Sequence, residues 1–370
     1  MSEPPSIAAA SDRAGHEPVQ LSWAPPSGIA GLSFVNILLR IVTLGLYHFW
    51  GKVEVRRRIW SGIRLQGEPL EYTGTGKELL VGFVRVFLLV MLPLLLISVV
   101  VVILMGPTAG FTTPIVFYIL LSPLIGLGIY RAQRYRLSRT RWRGIRGGMT
   151  GGGWSYSWTH FWTLLLIPFT LGWIVPWRAT KLQHLLVNDM RFGNRPFRFT
   201  ASSRPLYLRF IVVWVGTLAL VIGSGYVIGS AAETGQSQMD PQDTESGFHV
   251  FMFAVVLGTI AVAYLIYGII SGWYRARTIN HFSNHTHIDG FTFKSSVRAR
   301  SLIWLWLTNY LLLLSTLWLL TPVVQRRTVR YFVERLELQG TGDLGAVAQG
   351  ADLGLVSGEG VAQAYNVDAF

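Results

Sequence analysis

The sequence contains no cysteine. This absence excludes a disulfide framework, a thiol nucleophile and a thiolate metal site. Charged residues are also scarce: they make up 14% of the 370 residues, whereas soluble domains contain about a quarter. The composition therefore argues against a soluble globular protein.

Acidic residues are absent from the four long apolar runs, which cover residues 79–105, 111–130, 210–230 and 248–274. Each run has the ~20 residues that an α-helix needs to cross a ~30 Å hydrocarbon core. A proton carrier that uses buried carboxylates is not expected from such runs. With 51% hydrophobic residues and a mean hydropathy of +0.41, the chain is predicted to be an α-helical polytopic membrane protein with four long spans.

One short pattern occurs three times along the chain and defines what we call the A segments. Its first copy runs from Asn36 through Thr43-Leu-Gly45 to Trp50, its second contains Thr170-Leu-Gly172 and Trp177, and its third contains Asn309 and Thr316. In the third copy, Trp318 replaces the Gly and Val323 replaces the Trp. The candidate residues of this pattern are Asn36, Arg40, Thr43, Gly45, Trp50, Thr170, Gly172, Trp177, Asn309 and Thr316.

The repeats predict how the chain is organised. A mobile cytoplasmic leader (1–28), with a short strand at 19–23, precedes one membrane unit (29–157), a second unit (158–300) and a partial third (301–340). Each full unit has an A segment followed by two long apolar runs. A Gly- and Ala-rich tail (341–370) is predicted to be disordered.

Basic residues predict the orientation of these units. Six Lys or Arg lie in 51–78, seven in 131–157, six in 177–206, five in 275–300 and four in 323–340, whereas the connection 231–247 is acidic. Cytoplasmic loops carry an excess of Lys and Arg. All basic loops become cytoplasmic, together with both termini, if each A segment enters and leaves the membrane on the same face.

The A segments are therefore predicted to be re-entrant or interfacial helices. Arg40 lies in the middle of the first one, where a span would carry a penalty of about 2.5–3.5 kcal/mol. The alternative is that they span the membrane, since residues 301–324 are uncharged. Short alternating segments at 63–72, 141–147, 190–200, 285–293 and 336–340 are predicted to be extended, and could pair as β-hairpins in a small cytoplasmic sheet.

The motifs of the chain resemble those of the YjgN family of bacterial multi-pass membrane proteins. The resemblance covers roughly residues 20–340. It rests on Asn36-Ile-Leu-Leu, Thr43-Leu-Gly-Leu-Tyr-His-Phe-Trp50, Arg57, the segment from Gly67 to Gly76, the segment from Ser138 to Arg146, and their later copies. It implies a multi-pass protein of the inner membrane and an unknown activity.

Arginine clusters beside the apolar runs are the main candidates for ligand binding: Arg56, Arg57, Arg58, Arg131, Arg134, Arg139 and Arg141. Such clusters attract anionic lipid headgroups at about 1 kcal/mol per cation. The alternative is that they only set the topology. Trp50, Trp60, Trp142 and Trp177 are placed as interface anchors would be.

Other chemistry is weakly supported. His281, His285 and His287 could suggest a metal site, but the last two align with arginines of the earlier copy, so no metal is expected. Residues 73–78 lack the spacing of a phosphate-binding loop and are predicted to open a helix, with Glu78 near its N-terminus. Neither a cofactor nor a nucleophile–base pair is indicated, so the protein is not expected to be an enzyme.

Two functional hypotheses remain. The first is a non-enzymatic membrane scaffold that binds membrane lipids, especially anionic ones, or a protein partner through a basic cytoplasmic face. The second is a channel or transporter for a small solute, since internal repeats and broken helices are typical of transporters, and Arg40 would favour an anionic solute. Nucleic acid is not an expected partner. A homo-oligomer or a complex with another membrane protein is compatible with either hypothesis.

Overall fold

The computed structural model describes residues 19–106, 108–237, 245–340 and 347–349. Most of the predicted leader and tail, and part of the acidic connection, lie outside these residues. The described helices are α1 (Ile29–Val42), α2 (His48–Gly62), α3 (Gly76–Val86), α4 (Leu92–Met105), α5 (Ala109–Arg139), α6 (Trp154–Phe169), α7 (Val175–Asn188), α8 (Arg204–Ser237), α9 (Glu245–Asn284), α10 (Ala299–Ser315) and α11 (Thr321–Val333). A π-helical turn (Phe87–Met91) joins α3 to α4.

Short strands alternate with the helices: β1 (Val19–Trp23), β2 (Ile63–Leu65), β3 (Glu68–Pro69), β4 (Glu71–Tyr72), β5 (Thr140–Trp142), β6 (Ile145–Met149), β7 (Met190–Phe192), β8 (Arg195–Phe199), β9 (Thr286–Ile288), β10 (Phe291–Ser295) and β11 (Leu336–Gly340). They form one antiparallel ladder in the order β3-β2-β1-β11-β10-β9-β8-β7-β6-β5-β4. Its two outermost strands are consecutive in the chain, separated only by Leu70.

This segment from β3 to β4 closes the ladder on itself. Its first half pairs with β2, and its second half pairs with β5. The backbone N–H of Leu70 donates to Ile63 on one side, and that of Thr73 donates to Arg139 on the other. The strands therefore form a closed ring, which has no free edge to pair with another chain.

The interior of the ring is filled by apolar side chains from almost every strand. Trp142, Ile288, Phe291 and Leu338 are buried there. Packed against them are Leu21, Leu65, Leu70, Phe192, Phe197 and Phe293. Trp142 was expected to anchor at a membrane interface, and this prediction is wrong because its side chain is 1% exposed and lies in the ring core.

Connections at the two ends of the ring differ in kind. At one end, two-residue turns join β2 to β3, β5 to β6, β7 to β8 and β9 to β10. Arg143-Gly144 and Asp289-Gly290 both have positive φ at each residue, which matches the twist of the flanking strands. At the other end, which we call the helical rim, helices connect β1 to β2, β4 to β5, β6 to β7, β8 to β9 and β10 to β11.

The same backbone hydrogen bond brackets each of these five helical connections. The N–H of the residue after the incoming strand donates to the carbonyl of the residue before the outgoing strand. The five bonds, of 2.8–3.0 Å, are Ala24 to Gly62, Thr73 to Arg139, Thr150 to Asp189, Thr200 to His285 and Ser296 to Arg335. Each connection therefore leaves the ring and returns to it at neighbouring positions.

Four helical segments within the described residues are long and apolar enough to cross a membrane: Gly76–Met105, Thr112–Arg139, Arg204–Ser237 and Gly247–Asn284. This confirms the prediction of four helices of membrane-spanning length. As expected, residues 73–78 lead into a helix. This helix, α3, begins at Gly76, and the Thr75 hydroxyl caps it by accepting a hydrogen bond from the Glu78 N–H at 3.4 Å. The other three connections are the helix pairs α1–α2, α6–α7 and α10–α11.

The chain divides into two compact units. The first holds the strand ring and comprises the described residues up to Ala201, His281–Ser296 and those from Asn309 onward. The second comprises Ser202–Asn280 and Val297–Thr308. Within the second unit, Gly268 and Gly272 of α9 lie directly against Trp306 and Ile303 of α10.

Replacing Trp142 by Ala should destabilise the protein by about 3–5 kcal/mol, because it leaves a cavity in the ring core. Urea unfolding of the detergent-solubilised protein, followed by circular dichroism, measures this loss. Trp158→Ala is the matched control, since Trp158 is 47% exposed on α6 and lies outside the ring. Equal losses from the two variants would contradict a structural role for the ring core.

Candidate functional site

The turns of the three helix pairs share one geometry. Gly45, Gly172 and Trp318 each donate their N–H to the carbonyl five residues earlier, at 2.7–2.8 Å. This bond is that of a Schellman helix end. The residue before each, a leucine, has a φ of 47–50°.

A threonine at each turn closes the preceding helix. The hydroxyls of Thr43, Thr170 and Thr316 donate to the carbonyl four residues earlier, at 2.6–2.8 Å. Thr43 also accepts from the N–H of Tyr47 at 2.9 Å. These hydroxyls are therefore engaged by backbone groups of their own turn.

Large apolar side chains cover the tips of the turns. Leu44 is 94% exposed, Leu171 67% and Leu317 78%. Phe169 and Trp318 are exposed beside them. Contiguous exposed apolar surface marks a site that contacts a membrane or a protein partner.

A polar residue lies seven positions before the threonine in every pair, facing the second helix. In the first pair Asn36 is 2% exposed, packs against Gly51, and leaves both amide atoms without a described hydrogen-bond partner. In the third, Asn309 donates to the Thr328 hydroxyl at 3.2 Å. In the second, the residue at this position is Thr163.

The second pair adds two ionisable residues that the sequence analysis did not single out. Nε of Arg178 donates to the Thr163 hydroxyl at 3.0 Å, and His160 lies one turn before Thr163 with 8% exposure. The His160 ring is hydrogen-bonded to the backbone of Ser122 on α5. The sequence could have indicated His160 and Arg178, because ionisable side chains inside an apolar segment are rare and commonly functional.

Three of the arginine candidates lie at least partly inside the protein. Arg56 is 5% exposed, and its Nη1 donates to the Tyr72 hydroxyl at 3.3 Å. Arg139 forms an ion pair with Glu78. Arg141, on β5, is partly buried.

The other four candidates lie closer to solvent. Arg57 and Arg58 both form ion pairs with Glu54 on the same helix, at 3.6 and 3.1 Å. Arg131 is exposed near the end of α5, and Arg134 is partly exposed one turn later. The seven arginines thus do not form one cluster: some stabilise the fold, and Arg131 presents its charge outward.

The remaining candidates are separate from these arginines. Arg40 is partly buried on α1, and its Nε lacks a hydrogen-bond partner in the described structure. Trp50 and Trp177 are 42% and 43% exposed, one on each second helix. The structure places the repeat candidates at equivalent positions of three helix pairs and does not gather them into one pocket.

The three histidines lie near the helical rim at the end of α9. The rings of His281 and His285 are 4.5 Å apart, and His287 contacts the Thr292 hydroxyl at 2.9 Å. Groups of three or more potential metal ligands are not found in the described part of the chain.

Comparison with known proteins identifies relatives. The family model described as bacterial protein of unknown function (DUF898) matches residues 27–364. The inner membrane protein YjgN of Salmonella typhimurium (strain LT2) is 20% identical over 346 residues, which cover 84% of this chain and 85% of that protein. No solved structure matches the chain. The resemblance to the YjgN family is therefore confirmed.

Trp318→Gly should stabilise the third helix pair by roughly 1 kcal/mol, because Trp318 holds a φ of 64° that costs a residue with a Cβ about 1–2 kcal/mol. Trp304→Gly is the matched control: Trp304 is also exposed, but it lies inside α10, where glycine costs about 1 kcal/mol. Urea unfolding should show opposite signs for the two variants. Destabilisation by both would contradict the strain at the turn.

Proposed function

Because the chain belongs to the family of bacterial proteins of unknown function (DUF898), with the inner membrane protein YjgN as a relative, we propose that it is a multi-pass protein of the bacterial inner membrane. The four long apolar helices support this location. In this arrangement the lipid hydrocarbon covers the exposed apolar faces of the helices.

The three helix pairs are proposed to be re-entrant, as repeats of one element. Each leaves the helical rim and returns to it, and α1 has 14 residues, or about 21 Å, which is shorter than a ~30 Å hydrocarbon core. The exposed apolar tips at Leu44, Leu171 and Leu317 support insertion into lipid. The strand ring then lies on the cytoplasmic side, where the basic loops and both termini belong.

The function supported best is that of a non-enzymatic scaffold that binds anionic lipid or a protein partner at the helical rim. The observation that carries it is the shared position of all five helical connections, which brings basic residues from distant parts of the sequence to one end of the ring. Arg131 lies on α5, whose last residue, Arg139, adjoins β5 at that end. Cations at such a boundary attract anionic headgroups.

A second candidate, a path for a small anionic solute, is favoured by Arg40. Its Nε is buried and lacks a partner among the described residues, three positions before the tip of the first helix pair. An ionisable residue at that depth in a membrane commonly marks a transport path. In contrast, the cavity of about 520 Å³ between α8 and α9 is lined almost entirely by apolar and small residues and does not suit a charged solute.

Single cysteines at Glu71 and Glu337, both exposed on the strand ring, should resist a membrane-impermeant thiol reagent in intact cells and react after the cells are opened. The native chain has no cysteine, so each signal is unambiguous. Thr108→Cys, in the exposed connection between α4 and α5, is the control that should react in intact cells. Reaction of Glu71→Cys or Glu337→Cys from outside would contradict a cytoplasmic ring.

Anionic lipid should be enriched around the protein when it is excised from membranes in polymer discs. Arg131→Gln should reduce that enrichment, because it removes an exposed cation at the helical rim. Arg191→Gln, which removes an exposed cation on β7, is the matched control and should leave the enrichment unchanged. Lipid analysis that finds bulk composition around the unmodified protein would contradict lipid binding at the rim.

A further inference from the structure

We propose that Arg178, His160, Tyr156 and Thr163 form a binding site for one phosphate group, carried by a lipid or free in solution. The site lies between α6 and α7 and against α5. It rests on the proposed function only in that the helix pair is taken to be embedded in the membrane.

Arg178 is the cation of this site. Its Nε is held by the Thr163 hydroxyl at 3.0 Å, which fixes the plane of the guanidinium. No carboxylate of the described residues forms an ion pair with it. A buried charge is costly unless it is paired. The Nη groups of Arg178 can donate to an anion from outside the chain, and pairing with that anion would offset the cost of burying the charge.

His160 provides a second polar group at the same place. It is more than nine-tenths buried, and its Nδ1 has no hydrogen-bond partner within the described structure. Its ring is hydrogen-bonded to the backbone of Ser122 on α5, which orients it. Native proteins leave few buried polar atoms unpaired, so Nδ1 is available to a ligand from outside the chain.

Two tyrosines complete the surroundings of the guanidinium. Tyr156 lies one turn before His160 with its ring 6.5 Å away and nearly parallel, and is 7% exposed. Tyr156 and Tyr118 both lie near enough to Arg178 to interact with it electrostatically. The Tyr156 hydroxyl and the Arg178 guanidinium can donate to phosphate oxygens, whereas the unpaired His160 Nδ1 can accept from a hydroxyl of the ligand while the other ring N–H is given to Ser122. The planar fork of arginine suits phosphate in particular.

The fold does not require an arginine at this position. Counting eight residues from the turn threonine, the first pair has Gly51 and the third has Val324 where the second has Arg178. Both pairs form the same turn without a cation there. The charge is therefore specific to the second pair, which favours a ligand over a structural role.

The site lies along the helix pair, away from the rim. Ten positions separate Arg178 from Asn188 at the end of α7, or about 15 Å along the helix. A lipid phosphate and a free phosphate at that place would use the same donors.

Native mass spectrometry and thermal unfolding of the full-length protein in detergent test the site, with phosphatidylglycerol and inorganic phosphate as separate probes. We expect the unmodified protein to be stabilised by one or both, and Arg178→Gln to weaken that affinity about tenfold or more. Lys181→Gln, which removes an exposed cation one turn along the same helix, should bind as the unmodified protein does.

Each outcome decides a point. Stabilisation by phosphatidylglycerol alone assigns the site to a lipid headgroup, and stabilisation by inorganic phosphate assigns it to a free anion. An Arg178→Gln variant that responds as the unmodified protein does overturns the site. If that variant does not fold, Arg178→Lys and Tyr156→Phe keep the test, because both should fold and bind more weakly. Normal cysteine labelling with an unchanged Arg178→Gln response would refute this site and leave the proposed membrane topology standing.

Discussion

The closure of the strand ring is the constraint on which the other features depend. Eleven short strands form one antiparallel ladder, and the segment from β3 to β4 satisfies backbone groups on both of its sides. Because neighbouring strands are antiparallel, successive connections alternate between the two ends of the ring. Every helical connection is consequently bracketed by one backbone hydrogen bond at the same end. A connection of this kind has to return to where it began, whatever its length.

The ring and the helices have different sources of stability. The ring buries Trp142, Phe291 and their neighbours in a core of its own, as a small soluble domain does. The long helices bury little: none of the most apolar window of Gly76–Met105 or Gly247–Asn284 is inside the protein. Helices satisfy their own backbone polar groups, so apolar faces of this kind are stable in lipid. The protein thus combines a ring that has its own buried core with helices whose apolar faces suit lipid.

Comparison of the three helix pairs shows which features of the turn are constant and which residue varies. The threonine hydroxyl bond and the Schellman bond recur in all three, even where Trp318 replaces glycine at a strained φ. By contrast, the residue eight positions after the threonine is Gly51, Arg178 or Val324. A position whose residue varies while the backbone stays the same can accept a ligand-binding side chain without disturbing the fold. The proposed phosphate site occupies this position in the second pair.

The sequence by itself determined the class of protein, the four long helices and the recurrence of the Thr-Leu-Gly turns, because hydropathy, charge and local turn chemistry are read over short distances. It also located the segments in which the strands lie. It did not show that Trp142 is a core residue, that Arg56 and Arg139 are held by Tyr72 and Glu78, or that Arg178 meets Thr163 and His160. The burial of Trp142 depends on strand pairing that closes the ring, which joins β1 to β11 across more than 300 residues. The contacts of the three arginines depend on how each helix packs against its neighbours. Only the tertiary structure decides such pairing and packing, because similar side-chain patterns recur along the chain and do not specify their partners.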